Sequence, residues 1–215
     1  MTEKRIIQAA GMGSKGISPP NTKGAQTSKP GSSNMRISRD HIWFYDVIDD
    51  ETALEFNQVI TDLAHEHTKY MFNGMFEQSQ PAPIWLHINS PGGVITSAMS
   101  MVDTINRIKQ IVPIITIVEG QACSAATFLS IAGSHRVIRE NSYMLIHQLS
   151  QGIWGNYKEI KDAITNADNF MKDIKRLYKK YTDLPMDKID EILSHDLYFN
   201  AKMCKKYKLV DDVII

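Results

Sequence analysis

Only two cysteines, Cys123 and Cys204, occur in 215 residues, too few and too isolated for a disulfide scaffold or a cysteine-built metal cluster. A reducing compartment follows by default. No run of 18 apolar residues occurs and the N-terminus lacks the apolar core of a signal peptide, so no membrane span is expected and the expected location is cytoplasmic. Charge of one sign is also missing: the formal net charge is +0, which gives no overall field toward nucleic acid or an anionic membrane. The balance hides a division. Residues 1–39 carry seven Lys/Arg and one acid, a net +6, and the remaining residues carry 17 basic against 23 acidic side chains, a net −6.

What is present is 43% hydrophobic residues in alternating strand-like and helix-like stretches, the pattern of an α/β domain large enough to bury a full core. The expected parse is a disordered basic tail or removable pro-segment over 1–39 and one domain over 40–215. Residues 8–34 mix glycine and proline with Ser, Thr and Lys, a composition that buries too little apolar area to offset chain entropy.

Along the domain, Ile42 to Tyr45 reads as a first strand, and Asp49 to Ala64 as a helix with Leu54, Val59, Ile60 and Leu63 on one stripe behind an acidic start. His65 to Pro83 reads as an amphipathic excursion closed by a turn; His65 and His67 have no third ligand at helical spacing and read as surface residues. Ile84 to Asn89 is a strand, Ser90-Pro91-Gly92-Gly93 a turn, and Val94 to Ile108 a helix. The two glycine N–H groups can approach an oxyanion without an intervening Cβ. Ile114 to Val118 is a buried strand; Gly120 is expected to reverse the chain sharply, and a helix to begin at Ala122. Beyond lie short strands at Arg136–Ile138 and Tyr143–Ile146, a long helix to about Lys180, a shorter one after Pro185, a last small helix, and a closing strand over Leu209–Ile214. Parallel crossovers are expected throughout.

Ser124 falls at the strand-to-helix junction, where unpaired amides and the helix dipole favour a developing negative charge. Serine catalysis also needs a base, a group to hold its tautomer, and oxyanion donors. His147 ends an apolar strand, and Gly93 and Ala125 can offer N–H groups. Asp196 can be the orienting acid, but spacing alone does not select it over Asp168, Asp173 or Asp190. The residues taken by themselves reach a serine hydrolase and stop there.

The stretches Ile-Asn-Ser-Pro-Gly-Gly-Val-Ile-Thr (88–96), Gly-Gln-Ala-Cys-Ser-Ala (120–125), Met-Leu-Ile-His-Gln (144–148), Asp-Leu-Tyr-Phe-Asn-Ala (196–201) and Lys-Leu-Val-Asp (208–211) resemble, in order and spacing, the ClpP family, the proteolytic subunit of Clp proteases. The resemblance runs from about Ile42 to the C-terminus. It implies Ser124 as nucleophile, His147 as general base, Asp196 as orienting acid, and Gly93 and Ala125 as oxyanion donors. It further implies an α/β, crotonase-like ββα spiral with a protruding handle, a strand plus long helix, from Gly152–Asn156 and the following helix. Heptameric rings, stacked as a tetradecamer, would cleave unfolded polypeptides held as an extra strand. No cofactor is implied for the chain itself, ATP being used only by a separate unfoldase. Two departures stand out. Ser194-His195 replaces the usual arginine before the aspartate, which takes part in inter-ring pairing. At the positions of the unfoldase docking pocket the chain has Trp85, His87 and Arg107, so a Clp-type ATPase would meet an altered surface. A catalytically idle ring subunit and a crotonase-type acyl-CoA enzyme are the alternatives. Cys123 beside the serine is expected to point into the helix–sheet contact, away from the chemistry.

Overall fold

The computed structural model describes residues 34–72 and 81–215, so the expected disorder of residues 8–34 and the centre of the 65–83 excursion lie outside the described residues. The described elements are β1 (Met35–Ser38), β2 (His41–Phe44), α1 (Asp50–Phe72), β3 (Ile84–Ser90), α2 (Ile95–Ile108), β4 (Ile114–Cys123), α3 (Ala126–Ile131), β5 (His135–Arg139), β6 (Tyr143–Ile146), α4 (Tyr157–Tyr181), α5 (Met186–Leu193), β7 (Leu197–Asn200), α6 (Ala201–Lys206) and β8 (Asp212–Ile214). The eight strands form one sheet in the order β1-β2-β3-β4-β5-β8, with β6 joined to β4 and β7 to β6.

The central pairings are parallel, as strand–helix–strand units require, but β1–β2 and β6–β7 are antiparallel, which corrects the expectation of parallel crossovers throughout. Residues Met35–Ser38, which composition assigned to the tail, pair with β2 from Met35↔Phe44 to Ser38↔His41. Alternation decides the two faces. Ile42, Phe44, Leu86, Ile88 and Val118 point to one side and pack with Phe56 and Ile60 of α1, Met101 and Ile105 of α2 and Leu129 of α3 in a single core. Each such buried side chain stabilises the fold by about 1.5–3 kcal/mol. The other face carries His41, Trp43, Trp85 and His87, with Trp43 stacked on His87 at 4.9 Å between ring centroids.

Local chemistry sets the helix limits. Asp49 and Thr52 bond each other reciprocally at the start of α1, with Thr52 N to Asp49 Oδ1 at 2.8 Å and Asp49 N to Thr52 Oγ1 at 2.9 Å. The helix then runs past Ala64 to Phe72, taking in part of the expected excursion. His67 within it is no surface residue: its ring contacts the Ala82 carbonyl at 2.8 Å and Asp40 Oδ1 at 3.1 Å, tying the helix to the entry of β3. Asn156 caps α4 by accepting from the backbone of Lys158 and Glu159, while Glu159 returns a carboxylate to the Asn156 N–H.

Gly120 is a second correction. The chain does not reverse there; β4 continues to Cys123, and Gly120 at φ +83° is a kink that lets the strand exchange partners. On one edge Ile115–Val118 pair with β5 before the kink and Gln121–Cys123 with β6 after it, while β3 stays paired on the other edge through Ser90↔Ala122. The helix accordingly begins at Ala126 and not at Ala122.

Candidate active site

The turn between β4 and α3 is made by Ser124 itself, whose φ of +54° lies in the left-handed region that a side chain with Cβ enters only under constraint. Its N–H donates to Leu145 O at 2.8 Å, and its carbonyl accepts from the Thr127 N–H at 3.0 Å and the Thr127 hydroxyl at 2.6 Å. Both peptide groups of the serine are therefore fixed, one by β6 and one by the first turn of α3. The partly exposed side chain opens on a cavity of about 280 Å³ that Gly93, Ala125 and His147 also line.

The Ser90-Pro91-Gly92-Gly93 turn builds the opposite wall. Ile48 threads beside it, receiving the Val94 N–H at 2.7 Å and donating to Gly92 O at 2.9 Å. This ladder leaves the Gly93 N–H outside it, and among the described residues neither that N–H nor the Ala125 N–H is bonded to a protein acceptor. Gly92 is buried against the serine turn, at φ +89°, so close that a side chain there would collide with Cys123 O and Ser124. Ile95, Phe128, Leu149, Ile174 and Tyr178 line the rest of the cavity together with Pro91, Gln148 and Ser150, a mixed apolar and polar lining.

His147 follows β6 directly and Asp196 precedes β7, and the antiparallel pair Ile146↔Leu197 brings them together. Sequence spacing did not distinguish Asp196 from the other acids; the strand pairing places it beside His147. The carboxylate Oδ1 is 3.7 Å from His147 Nδ1, an ion-pair distance rather than a hydrogen bond, and the Asp196 side chain is 80% exposed. Among the described residues His147 makes no hydrogen bond to Ser124. The three side chains are neighbours that do not hydrogen-bond one another.

Cys123 lies buried on the face away from the helices, with Sγ 3.5 Å from Gln121 Oε1 and in contact with Tyr198, so its expected place in the helix–sheet contact is corrected. Burial pushes its thiol up, and pushes that of Cys204 up to about 12, so neither is a nucleophilic thiolate near neutrality.

Of the altered docking positions, Trp85 and His87 share the aromatic face of β3. His87 Nε2 is 2.9 Å from His41 Nδ1, and its Nδ1 is 3.0 Å from Glu119 Oε1 but poorly aligned for a hydrogen bond. Arg107 sits on α2, across the sheet, with its guanidinium 3.1 Å from Thr61 Oγ1 in an exposed position. One chain does not bring the three into one pocket, and the charge reaches water instead of lying in an apolar site. Among the described residues no group of three His, Cys, Asp or Glu is placed to hold a metal ion, and no helix is long and apolar enough to cross a membrane.

Thr127 and Tyr178 were missed by sequence reasoning. A threonine three residues after a turn serine is a local signal for a back-bond to its carbonyl; Tyr178, 51 residues further on, has none.

Fold and site together define an α/β protein with a serine raised at a strand-to-helix turn, facing a histidine and two free amides. The family model described as Clp protease matches residues 37–215, and the chain belongs to this family of ClpP-like serine proteases; its described residues form a mixed α/β fold of eight strands and six helices, consistent with the family's. Members generally form oligomeric rings that act on peptides.

Proposed function

We propose that the chain is the serine endopeptidase subunit of a ring-forming, compartmentalised protease that degrades unfolded polypeptides handed over by a separate ATP-driven unfoldase. The observation that carries this is the convergence on one cavity of left-handed Ser124, His147 and the unpaired N–H groups of Gly93 and Ala125. Ser124 Oγ attacks the scissile carbonyl while His147 Nε2 takes its proton. The oxyanion of the tetrahedral intermediate is held by the Gly93 and Ala125 N–H groups, and Asp196 fixes the histidine tautomer. Collapse returns the proton to the leaving amine, and water, deprotonated by the same histidine, hydrolyses the acyl-enzyme. No step calls on a cofactor. His147 and Asp196 must close by about 0.5 Å or more to reach hydrogen-bond distance, and substrate binding or ring assembly is the natural source of that closure.

Heptameric rings stacked through the α4 handle are the proposed assembly, supported by the exposed Trp154, Tyr157, Ile160 and Ile164 along it. The buried free thiols suit a cytoplasmic location. Because Trp85, His87 and Arg107 depart from the family's docking positions, the docking surface is altered, for an unusual unfoldase or for none; robust stimulation by a standard bacterial Clp ATPase would overturn this.

Hydrolysis of a short fluorogenic peptide, with Ser124→Ala beside it and the oligomer sized in the same buffer, tests the whole reading. Serine-dependent turnover by a ring-sized species is expected. The loose His147–Asp196 contact favours a second reading, an idle ring subunit; failure of a fluorophosphonate to label Ser124 would establish it over the first.

A further inference from the structure

Behind the serine turn stands a pair of buried hydroxyls from two helices. Thr127 of α3 is fully buried and Tyr178 of α4 is 2% exposed, and their oxygens are 2.5 Å apart. A threonine hydroxyl has one proton, and here it is donated to the Ser124 carbonyl at 2.6 Å. Tyr178 must therefore donate to Thr127 Oγ1, and the three groups form a directed chain from Tyr178 Oη through Thr127 Oγ1 to Ser124 O. Burial holds the phenol far above its ordinary range, so it remains a donor at any working pH. The ring is itself fixed, edge-on to Phe128 at 5.7 Å between centroids. The chain ends on the one peptide unit of the site whose conformation needs restraint, the left-handed Ser124.

We propose that Thr127 and Tyr178 are positioning residues for the reaction. Their hydroxyls hold the Ser124 carbonyl so that Oγ and the following Ala125 N–H stay aimed into the cavity. The Tyr178 side chain also lines the cavity, but its hydroxyl is directed to Thr127, so both hydroxyls act through the serine's backbone. This rests on the reading of Ser124 as nucleophile. It makes the rate of attack depend on where α4 packs, since Tyr178 is the contact through which that helix reaches the serine.

The test uses the full chain with Tyr178→Phe, which removes only the hydroxyl, Thr127→Val, which keeps the shape, Thr127→Ser, which keeps the hydroxyl, and the Phe/Val double variant. The readouts are the fluorophosphonate labelling rate of Ser124 and the split of kcat from KM on a short peptide, compared among variants of wild-type oligomer size. Tyr178→Phe and Thr127→Val are expected to slow labelling and lower kcat by about tenfold, with KM within about twofold. Thr127→Ser is expected to restore the rate, and the double variant to fall no further than the worse single one, as for groups acting in series. Labelling at the wild-type rate in both single variants overturns the positioning role, as does a Thr127→Ser variant as slow as Thr127→Val. A wild type that is not labelled at all overturns the nucleophile reading and this inference with it, and so distinguishes the two failures.

Discussion

Replacing Gly92 with alanine strains the site at one point, and the size of the effect follows from the geometry. At φ +89° an L-residue is destabilised by about 1–2 kcal/mol relative to glycine. The new methyl carbon would also fall 2.8 Å from Ser124 Cβ and 3.0 Å from Ala125 N, and closer still to Cys123 O. Carbon–carbon contact is comfortable at about 3.5 Å, so the turn or the serine must yield by about 0.7 Å. A displacement near 1 Å at a reacting group costs about a hundredfold in rate, so kcat on a short fluorogenic peptide should fall by roughly 10- to 100-fold. Strain and displacement together should lower the thermal midpoint by about 5–10 °C for a domain of this size. Gly152→Ala is the control: an added Cβ there meets nothing within 4 Å, and neither quantity should change. A Gly92→Ala protein with wild-type kcat would refute the claim that the Ser-Pro-Gly-Gly turn sets the serine's position.

Cys123→Ala should retain peptidase activity, because the thiol is buried against Gln121 and Tyr198 and held protonated; loss of all turnover with Ser124 intact would contradict this. Acid should weaken the fold in two stages. Burial holds His87 below the ordinary histidine range despite Glu119, so the folded state binds fewer protons than the unfolded state, and this contribution is present above about pH 6.5 and lost as pH falls toward the lowered value. Asp211, held low by hydrogen bonds from Arg136, adds stability that disappears only below about pH 4. Denaturant midpoints for His87→Phe that keep the whole upper limb would show that another group drives it. His195 is exposed where the resemblance implies arginine, so His195→Arg should strengthen ring stacking, and an unchanged sedimenting species would remove that expectation.

The sequence showed most of the architecture because the buried strands are short runs of β-branched residues bounded by glycine and proline, and their composition announces them. Met35–Ser38 escaped notice because an edge strand needs only one buried residue, Met35, and three of its four side chains face solvent. Gly120 shows another limit. Glycine marks unusual backbone geometry without saying which, and here the demand was for a partner exchange within β4 and not for a turn. Among candidate site residues, Ser124, Gly93 and Ala125 could be singled out because turn chemistry is local. Asp196 could not, because its place beside His147 depends on the β6–β7 register. The Tyr178–Thr127 contact joins residues 51 apart in sequence and leaves no pattern in either neighbourhood.

That same register has a consequence for the order of events during folding. β6 and β7 form a hairpin whose connection is everything from His147 to Asp196, helices α4 and α5 included. Local contacts form early, and a long loop closes late because its closure entropy must be overcome first. A nascent chain thus acquires its serine turn, a product of neighbouring residues, before its histidine meets its aspartate. A protease gains from this delay, because its candidate reactive centre is completed only by a long-range closure.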